Sequence, residues 1–204
     1  MKGLKFTRKI KMHRSVQERS DAMPLEGKRV AIIIANEFDE REFRQPYERL
    51  KQEGADVVVV GVEAEQMLIG HHGQEEVMTD ASLDNVSPAD FDAVVIPGGY
   101  SPDKLRLSQK AVDFVREVYN QGKLVAAVCH APWLLISADI VRGKLMTAWP
   151  SVMIDLKNAG ANVVDREVVI DGNIVTSRSV NDLPAFVQTI INVLEGRAKM
   201  EAAN

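Results

Sequence analysis

Runs of apolar, mostly β-branched residues recur along this chain and alternate with longer stretches in which apolar and polar residues mix. The first run, from Lys28 to Ala35, is apolar in all but its first two positions, which is typical of a strand buried on both faces of a sheet. Similar runs predict further buried strands over residues 56–61, 92–96 and 124–128.

The mixed stretches place apolar residues three and four positions apart, as one face of a helix requires. Turn-forming residues around Gly70 and Gly73 indicate a hairpin over residues 67–80. The helical spacing predicts helices over residues 40–54, 108–121, 130–138, 150–159 and 182–194. Shorter apolar runs predict short strands near residues 145–148, 162–169 and 173–177.

Strands that alternate with helices of this length predict βαβ units, in which neighbouring strands run parallel. We therefore predict an α/β fold: a single domain with a doubly wound, mostly parallel sheet (a flavodoxin-like sandwich) and a small inserted β-hairpin. We place this domain at residues 27–197, between a flexible N-terminal extension of residues 1–26 and a C-terminal tail of residues 198–204.

The N-terminal residues differ from the rest of the chain in charge. Residues 1–23 hold seven basic and two acidic side chains, a net charge of +5, whereas the whole chain of 204 residues carries −4, which leaves −9 for the remainder. Three interpretations of this basic segment stay open: a flexible tail or over-long gene start, an arm that docks on an oligomer, and a nucleic-acid arm or transit peptide. The acidic residues that interrupt it make the third the weakest.

Composition excludes several classes of protein. The slightly acidic balance gives no reason to expect a nucleic-acid partner or binding to an anionic membrane. The chain has no stretch of about 18 uncharged apolar residues and no apolar core of a secretory signal, so we predict no membrane-spanning helix. One cysteine cannot form an internal disulfide and fits a reducing compartment, which predicts a cytoplasmic location.

That single cysteine, Cys129, stands where the buried strand 124–128 runs into the predicted helix 130–138. A sharp turn from strand to helix presents the side chain at the junction above the sheet edge, and a helix N-terminus would lower the pKa of the thiol. At a random position a free cysteine is more often a buried, inert side chain. The position in the pattern therefore favours a nucleophile.

The same sheet edge should carry two acidic residues and a pair of glycines, because ligands of such sheets bind beyond the carboxyl ends of the strands. Asp39 and Glu42 follow the first strand, and Gly98 and Gly99 follow the third. Either carboxyl could contact the sulfur, or could simply complement the dipole of the helix that begins there. The backbone amides of Gly99 and His130 are candidate donors to an oxyanion, whereas sequence adjacency alone does not decide where the His130 ring points.

Other signals exclude familiar kinds of site. His71 and His72 are adjacent and would face opposite sides of a strand, so we expect an exposed hairpin tip there and no metal site. Residues 131–204 contain no histidine, which excludes the C-terminal histidine of a glutamine-hydrolysing triad. Asn36 and its neighbours take the place of a glycine-rich phosphate loop after the first strand, so we predict no nucleotide and no other cofactor.

A series of motifs in this order resembles the PfpI intracellular-protease family, part of the superfamily that includes the Parkinson-disease-associated deglycase and shares a class I glutamine amidotransferase-like fold. The resemblance extends from about Lys28 to Gly196. Its motifs are ANEFDERE at 35–42, GHHG at 70–73, PADFDAVVIPGG at 88–99, SPDK at 101–104, VCHAP at 128–132, LISA at 135–138, RG at 142–143, the Asp155 to Gly160 segment and TSR at 176–178.

The resemblance implies a role for each candidate residue. The family's nucleophile falls on Cys129 and its adjacent histidine on His130. The acidic residue beside the sulfur falls on Glu42, and a second acidic position falls on Asp39. The oxyanion donors fall on the backbones of Gly99 and His130.

The resemblance also implies an oligomer, a homodimer or a hexamer. In protease-like members a neighbouring subunit supplies the acid that orients the histidine, and that position falls on Asp103 here, a shorter side chain than the glutamate of some members. Ala131 replaces a common glycine, Trp133 replaces a smaller polar residue, and Trp149 stands where a tyrosine is common. We expect the two tryptophans to narrow or dry the pocket, with Trp149 as a pocket wall.

The implied function is that of a cysteine-dependent stress-protection hydrolase, either a peptidase or a deglycase or glyoxalase-like enzyme. Its substrates would be peptides, small aldehydes such as methylglyoxal, or glycated amines. The alternative is a non-enzymatic stress protein or chaperone in which Cys129 is an oxidation-sensing switch. Both hypotheses require a reactive thiol, so only turnover distinguishes them.

Overall fold

The computed structural model describes residues 23–198. The predicted extension and tail fall almost entirely outside these residues. In chain order the strands are β1 (Arg29–Ile33), β2 (Asp56–Gly61), β3 (Met67–Ile69), β4 (Glu76–Met78), β5 (Ala81–Ser82), β6 (Ala93–Ile96), β7 (Leu124–Val128), β8 (Leu145–Met146), β9 (Asn162–Val163), β10 (Val168–Asp171) and β11 (Ile174–Ser177). The helices are α1 (Glu40–Gln52), α2 (Ser101–Leu105), α3 (Gln109–Asn120), α4 (Pro132–Ser137), α5 (Pro150–Asn158) and α6 (Leu183–Leu194).

The central sheet has seven strands in the order β10-β11-β7-β6-β1-β2-β5. Neighbouring strands run parallel throughout, except for the antiparallel pair β10 and β11. The chain leaves β1 toward β2 and β5 and then returns to the other side of β1 with β6, so the winding reverses between β1 and β6. The doubly wound, mostly parallel sheet that the sequence predicts is confirmed, and its reversal point is where such sheets bind ligands.

Two apolar layers cover the two faces of this sheet, which explains why its strands are continuously apolar. Alternate residues of β1 point into different layers: Ala31 and Ile33 into one, Val30 and Ile32 into the other. Helices α3, α4 and α5 pack on the first layer, and α1 and α6 pack on the second. A strand buried on both faces leaves only its ends exposed, so polar chemistry is confined to the loops at the sheet edges.

Three differences from the predicted elements concern α4, the segment 162–169 and α2. Helix α4 begins at Pro132 rather than at residue 130, because Cys129 and the two residues after it form the turn. The predicted strand 162–169 is two strands, of which β9 pairs with β8 in a separate ribbon. Helix α2 follows Gly99 closely and is too short for its spacing to show in the sequence. The inserted hairpin is present as the antiparallel pair β3 and β4.

The chain packs against the core from Leu25 onward, two residues before the predicted start of the domain. Leu25 is fully buried, and its backbone N–H donates to the carbonyl oxygen of Glu53 at 2.8 Å. A single apolar residue produces no periodicity, so the pattern could not reveal this contact. None of the helices within residues 23–198 is long and apolar enough to cross a membrane.

Two glycines with the same backbone conformation allow a test of how tightly the β6 end is packed. Gly99 and Gly143 both have φ +74°, but a Cβ at Gly99 would lie 2.5 Å from the Asp39 nitrogen and the Glu37 oxygen, whereas a Cβ at Gly143 would meet nothing within 4 Å. We expect Gly143→Ala to lower the free energy of unfolding by about 1 kcal/mol through backbone strain alone. Gly99→Ala should lower it by about 1–3 kcal/mol more, because the added methyl is overpacked. Equal losses of unfolding free energy in Gly99→Ala and Gly143→Ala, measured by urea denaturation, would contradict this packing.

Candidate active site

Cys129 lies directly after β7, in a turn that holds its backbone in an unusual conformation. Its φ is +61°, in the left-handed region that non-glycine residues seldom adopt. Its N–H donates to the Ser177 carbonyl at 3.1 Å, and its own carbonyl accepts from the Trp149 N–H at 3.0 Å. The turn is thus fixed from both sides, and such maintained strain is a feature of functional sites. Cys129 is 8% exposed.

The carboxyl group of Glu42 is packed against this cysteine with Gly98 between them. Glu42 is 1% exposed, and its Oε2 accepts from the Gly98 N–H at 2.7 Å. A Cβ at Gly98 would lie 2.5 Å from that oxygen and 2.8 Å from Cβ of Cys129. The three groups therefore fit together only because residue 98 has no side chain.

Burial changes the protonation of the Glu42 carboxyl. Loss of water around it, together with the neighbouring Asp39 charge, raises the pKa of Glu42 to about 8, although the Gly98 hydrogen bond acts in the opposite direction. At neutral pH most Glu42 side chains therefore carry a proton. The carboxyl and the Cys129 sulfur are close enough for each to shift the pKa of the other, and a protonated Glu42 has a hydrogen that it could donate toward that sulfur.

The Cys129 thiol does not have the lowered pKa that a helix N-terminus was expected to produce. Burial raises its pKa, an ionised Glu42 would raise it further, and only the His130 backbone N–H acts to lower it. Helix α4 has six residues and begins three residues after the cysteine, so its dipole acts weakly at the sulfur. Because Glu42 is protonated at neutral pH, its unfavourable charge is largely absent there.

The imidazole ring of His130 points at the sulfur. Its Nδ1 lies 3.1 Å from Sγ of Cys129. Burial lowers the pKa of His130, so the ring is mostly neutral at neutral pH and can accept a proton. The rings of Trp133 and Trp149 lie 5.1 and 6.0 Å from it, centre to centre, the first edge-on and the second stacked.

Three other predicted site residues line the same pocket, which has a volume of about 360 Å³. Asp39 accepts from the backbone N–H groups of Arg41 and Glu42 at 3.0 and 3.2 Å, and so caps α1. Trp149 is 41% exposed and forms a wall. The Gly99 amide donates to no group within residues 23–198, which leaves it available to a ligand.

Asp103 is the predicted site residue that this chain does not bring to the pocket. It is exposed on α2, and within residues 23–198 it forms no ion pair with His130. Its assignment to a neighbouring subunit's site therefore stays a prediction.

Comparison with known proteins shows which family the chain belongs to. The sequence profile of the DJ-1/PfpI family matches residues 28–193. The chain belongs to this family. The family that its motifs predict is thereby confirmed.

The relatives of this DJ-1/PfpI chain include named stress and deglycase proteins. Protein/nucleic acid deglycase 2 of Escherichia coli (strain K12) is 44% identical over 169 residues, which cover 82% of this chain and 98% of the relative. General stress protein 18 of Bacillus subtilis (strain 168) is 40% identical over 170 residues, which cover 83% and 99%. A solved two-domain protein from Anabaena variabilis, with DJ-1/ThiJ/PfpI-like and ferritin-like domains, matches at a TM-score of 0.81 and 40% identity over 87% of this chain. The chain spans 52% of that protein.

The sequence did not identify one wall of the pocket in this DJ-1/PfpI chain, the turn that carries His71 and His72. The turn is exposed, as expected, but it folds over the start of α1 and lines the pocket. The His72 backbone N–H donates to Glu40 at 2.8 Å, and its Nδ1 lies 2.7 Å from the same carboxylate. The rings of Tyr100 and His71 pack edge-on, with their centres 4.7 Å apart. His72 and Glu40 are 32 positions apart, so no local sequence pattern predicts their contact.

The sequence did not single out three further residues that line the pocket: Arg41 in the first turn of α1, and Ser179 and Val180, which follow β11.

The raised pKa of Glu42 predicts how the reactivity of the thiol depends on pH. Glu42→Gln removes the charge that appears beside the sulfur as pH rises through about 8. We expect iodoacetamide to alkylate Cys129, the only cysteine, severalfold faster in the variant than in the wild type at pH 9, and at similar rates at pH 6.5. Glu48→Gln, on the exposed side of the same helix, is the matched control. Identical pH profiles for wild type and Glu42→Gln would contradict the prediction.

The same carboxyl predicts a pH dependence of stability. The folded pKa of Glu42 lies above its unfolded value near 4.5, so its contribution to stability is fully present below that value and is lost as pH rises toward 8. Relative to Glu42→Gln, the free energy of unfolding of the wild type should fall over this window by up to about 1.4 kcal/mol per pH unit.

Proposed function

We propose that the protein is a cysteine-dependent hydrolase that acts on α-oxoaldehydes such as methylglyoxal and on their adducts with amines. The observation that carries the proposal is that the Cys129 sulfur lies 3.1 Å from Nδ1 of His130 and close to the buried Glu42 carboxyl, and that all three residues line one pocket. The deglycase name of the Escherichia coli relative supports this substrate class. A pocket of about 360 Å³ suits a small ligand better than an extended peptide.

In the proposed first step, the sulfur adds to the aldehyde carbon while its proton passes to Nδ1 of His130. The proton leaves during the addition because burial keeps the thiol largely protonated. A C–S bond forms, and the electron pair of the carbonyl moves to its oxygen, which takes up a proton to give a hemithioacetal. The Gly99 and His130 amides are the proposed donors to that oxygen. With an amine adduct, the C–N bond breaks and the amine leaves with a proton.

The next steps balance without an external oxidant or reductant. The hydrogen on the sulfur-bearing carbon leaves as a proton while the neighbouring carbonyl oxygen takes one up, which gives an enediol. The former carbonyl carbon then gains a proton and the hydroxyl on the sulfur-bearing carbon loses one, so the first carbon is oxidised, the second is reduced, and the product is a thioester of a 2-hydroxy acid. Water then adds to the thioester and gives a proton to His130, the C–S bond breaks, and the sulfur recovers that proton from His130. Glu42, protonated at neutral pH, is the second proposed proton-transfer group.

The redox-switch alternative has less support in the geometry. Oxidation of a cysteine follows its thiolate character and exposure. Cys129 is buried, and burial raises its pKa, so both properties act against rapid oxidation. The protonated Glu42 would nevertheless stabilise an oxidised sulfur by donating a hydrogen bond to it. Because one relative is named general stress protein 18, the experiment also tests this alternative.

Turnover by Cys129→Ala tests the proposed nucleophile. We expect the loss of at least 1,000-fold in kcat/KM for methylglyoxal and for a methylglyoxal-treated amine, because no other thiol is present. The assay measures the 2-hydroxy acid formed, and a peptide substrate is run in parallel. Substantial turnover by Cys129→Ala would refute the mechanism. Absence of turnover by wild type on all substrates, with peroxide-dependent binding to other proteins, would favour the redox switch.

We further propose that the site is completed in a homodimer or a hexamer, in which Asp103 of one subunit contacts His130 of another. Asp103 is exposed on α2, and two apolar side chains on either side of it in the sequence, Tyr100 and Leu107, are 53% and 85% exposed.

Mixed oligomers test this arrangement directly. Asp103→Ala and Cys129→Ala should each be inactive or strongly impaired alone. When the two are co-expressed, an Asp103→Ala subunit keeps its thiol and can receive the acid from a Cys129→Ala neighbour. Random pairing at equal ratio should then restore up to about a quarter of wild-type turnover. No restoration in an oligomer shown to be mixed would exclude an acid supplied across the interface.

A further inference from the structure

Three side chains in series connect helix α5 with the Cys129 sulfur. Oδ2 of Asp155 accepts from the indole Nε1–H of Trp133 at 2.8 Å. The Trp133 ring meets the His130 ring edge-on, with centres 5.1 Å apart and planes at 60°. Nδ1 of His130 lies 3.1 Å from the sulfur. We propose that Asp155 and Trp133 are positioning residues that hold the imidazole of His130 with Nδ1 directed at the sulfur.

Within residues 23–198 of the same chain, little besides the two indoles fixes the His130 ring. It is half-buried in the turn before α4 and makes no side-chain hydrogen bond within residues 23–198 other than the contact with Cys129. A single contact to a sulfur leaves the ring free to turn about its side-chain bonds. Two indoles are the aromatic neighbours of the ring: Trp133 meets it edge-on with centres 5.1 Å apart, and Trp149 is stacked on it at 6.0 Å. Its direction therefore depends on how firmly those indoles are held.

Trp133 is the better held of the two. It lies in the first turn of α4, and its bond to Asp155 ties the far end of the indole to a second helix, α5. Trp149 is 41% exposed, and its side chain donates to no group within residues 23–198. Without the Asp155 bond, the indole of Trp133 could rotate about its side-chain bonds, and its edge would leave His130. Loss of that packing would lower the share of His130 rings that can accept the thiol proton.

The experiment compares four variants by two readouts. Asp155→Ala removes the acceptor, Asp155→Asn keeps a carbonyl oxygen that can accept from the indole, and Trp133→Phe keeps an aromatic ring but removes the N–H. Asn158→Ala, at an exposed position on the same helix, is the matched control. The readouts are the rate of Cys129 alkylation by iodoacetamide at pH 7 and the kcat and KM for methylglyoxal, each on protein whose thermal unfolding has been checked.

We expect Asp155→Ala and Trp133→Phe each to lower the alkylation rate and kcat about tenfold, with KM within twofold of wild type. Asp155→Asn and Asn158→Ala should stay within twofold of wild type in both readouts. An unchanged alkylation rate in Asp155→Ala would overturn the proposal, and so would an Asp155→Asn variant as impaired as Asp155→Ala. If Asp155→Ala does not fold, Trp133→Phe tests the same bond from the donor side.

The kcat readout rests on the proposed function, whereas alkylation does not. Wild-type protein without turnover, combined with slow alkylation of Asp155→Ala, would refute the proposed substrate class and leave the positioning role standing. Wild-type turnover that Asp155→Ala retains in full, with normal alkylation, would refute the positioning role and leave the proposed function standing.

Discussion

The hydrogen bond from the Gly98 amide to the Glu42 carboxyl joins the end of β6 to the helix that follows β1, directly beside the end of β7. It can form only because Gly98 has no Cβ, which would collide with both the carboxyl oxygen and Cβ of Cys129. Glu42 and Gly98 are 56 residues apart in the sequence, and Gly98 and Cys129 are 31 residues apart. They meet only when β7, β6 and β1 are neighbours in the sheet. The candidate site is therefore a product of the strand order and not of any local segment.

Burial at this contact also determines where the protons of the site are held. A carboxyl without access to water and close to Asp39 keeps its proton at neutral pH, and the neighbouring thiol keeps its own because burial raises its pKa as well. The neutral imidazole of His130 is then the group at the sulfur with an unfilled proton site. This arrangement favours proton transfer during attack rather than a thiolate formed in advance. Enzymes with a cysteine at a long, exposed helix N-terminus work by the second route.

Much of the architecture could be predicted from the sequence because each central strand is uniformly apolar and ends in a recognisable turn. The same logic placed Cys129, Glu42 and Gly99 at one sheet edge. The predicted direction of the shift in the pKa of Cys129 was wrong, because the prediction considered the helix dipole without the burial that the turn imposes. His72 was also missed as a pocket residue, because its contact with Glu40 spans 32 positions and leaves no periodic trace.

In the proposed oligomer, His130 is acted on both by residues of its own chain and by an acid from a neighbouring subunit. Within the chain, packing by Trp133 and Trp149 can set the direction of the ring, but an indole edge carries little charge and cannot neutralise an imidazolium. A carboxylate from a neighbouring subunit would supply that charge, and the second ring nitrogen has no partner within residues 23–198. Orienting the His130 ring and neutralising its charge are thus separate requirements. In the proposed oligomer Asp103, which is shorter than a glutamate, needs only to approach a ring that is already oriented. The tryptophans by which this chain departs from the common family pattern are consistent with that division of roles.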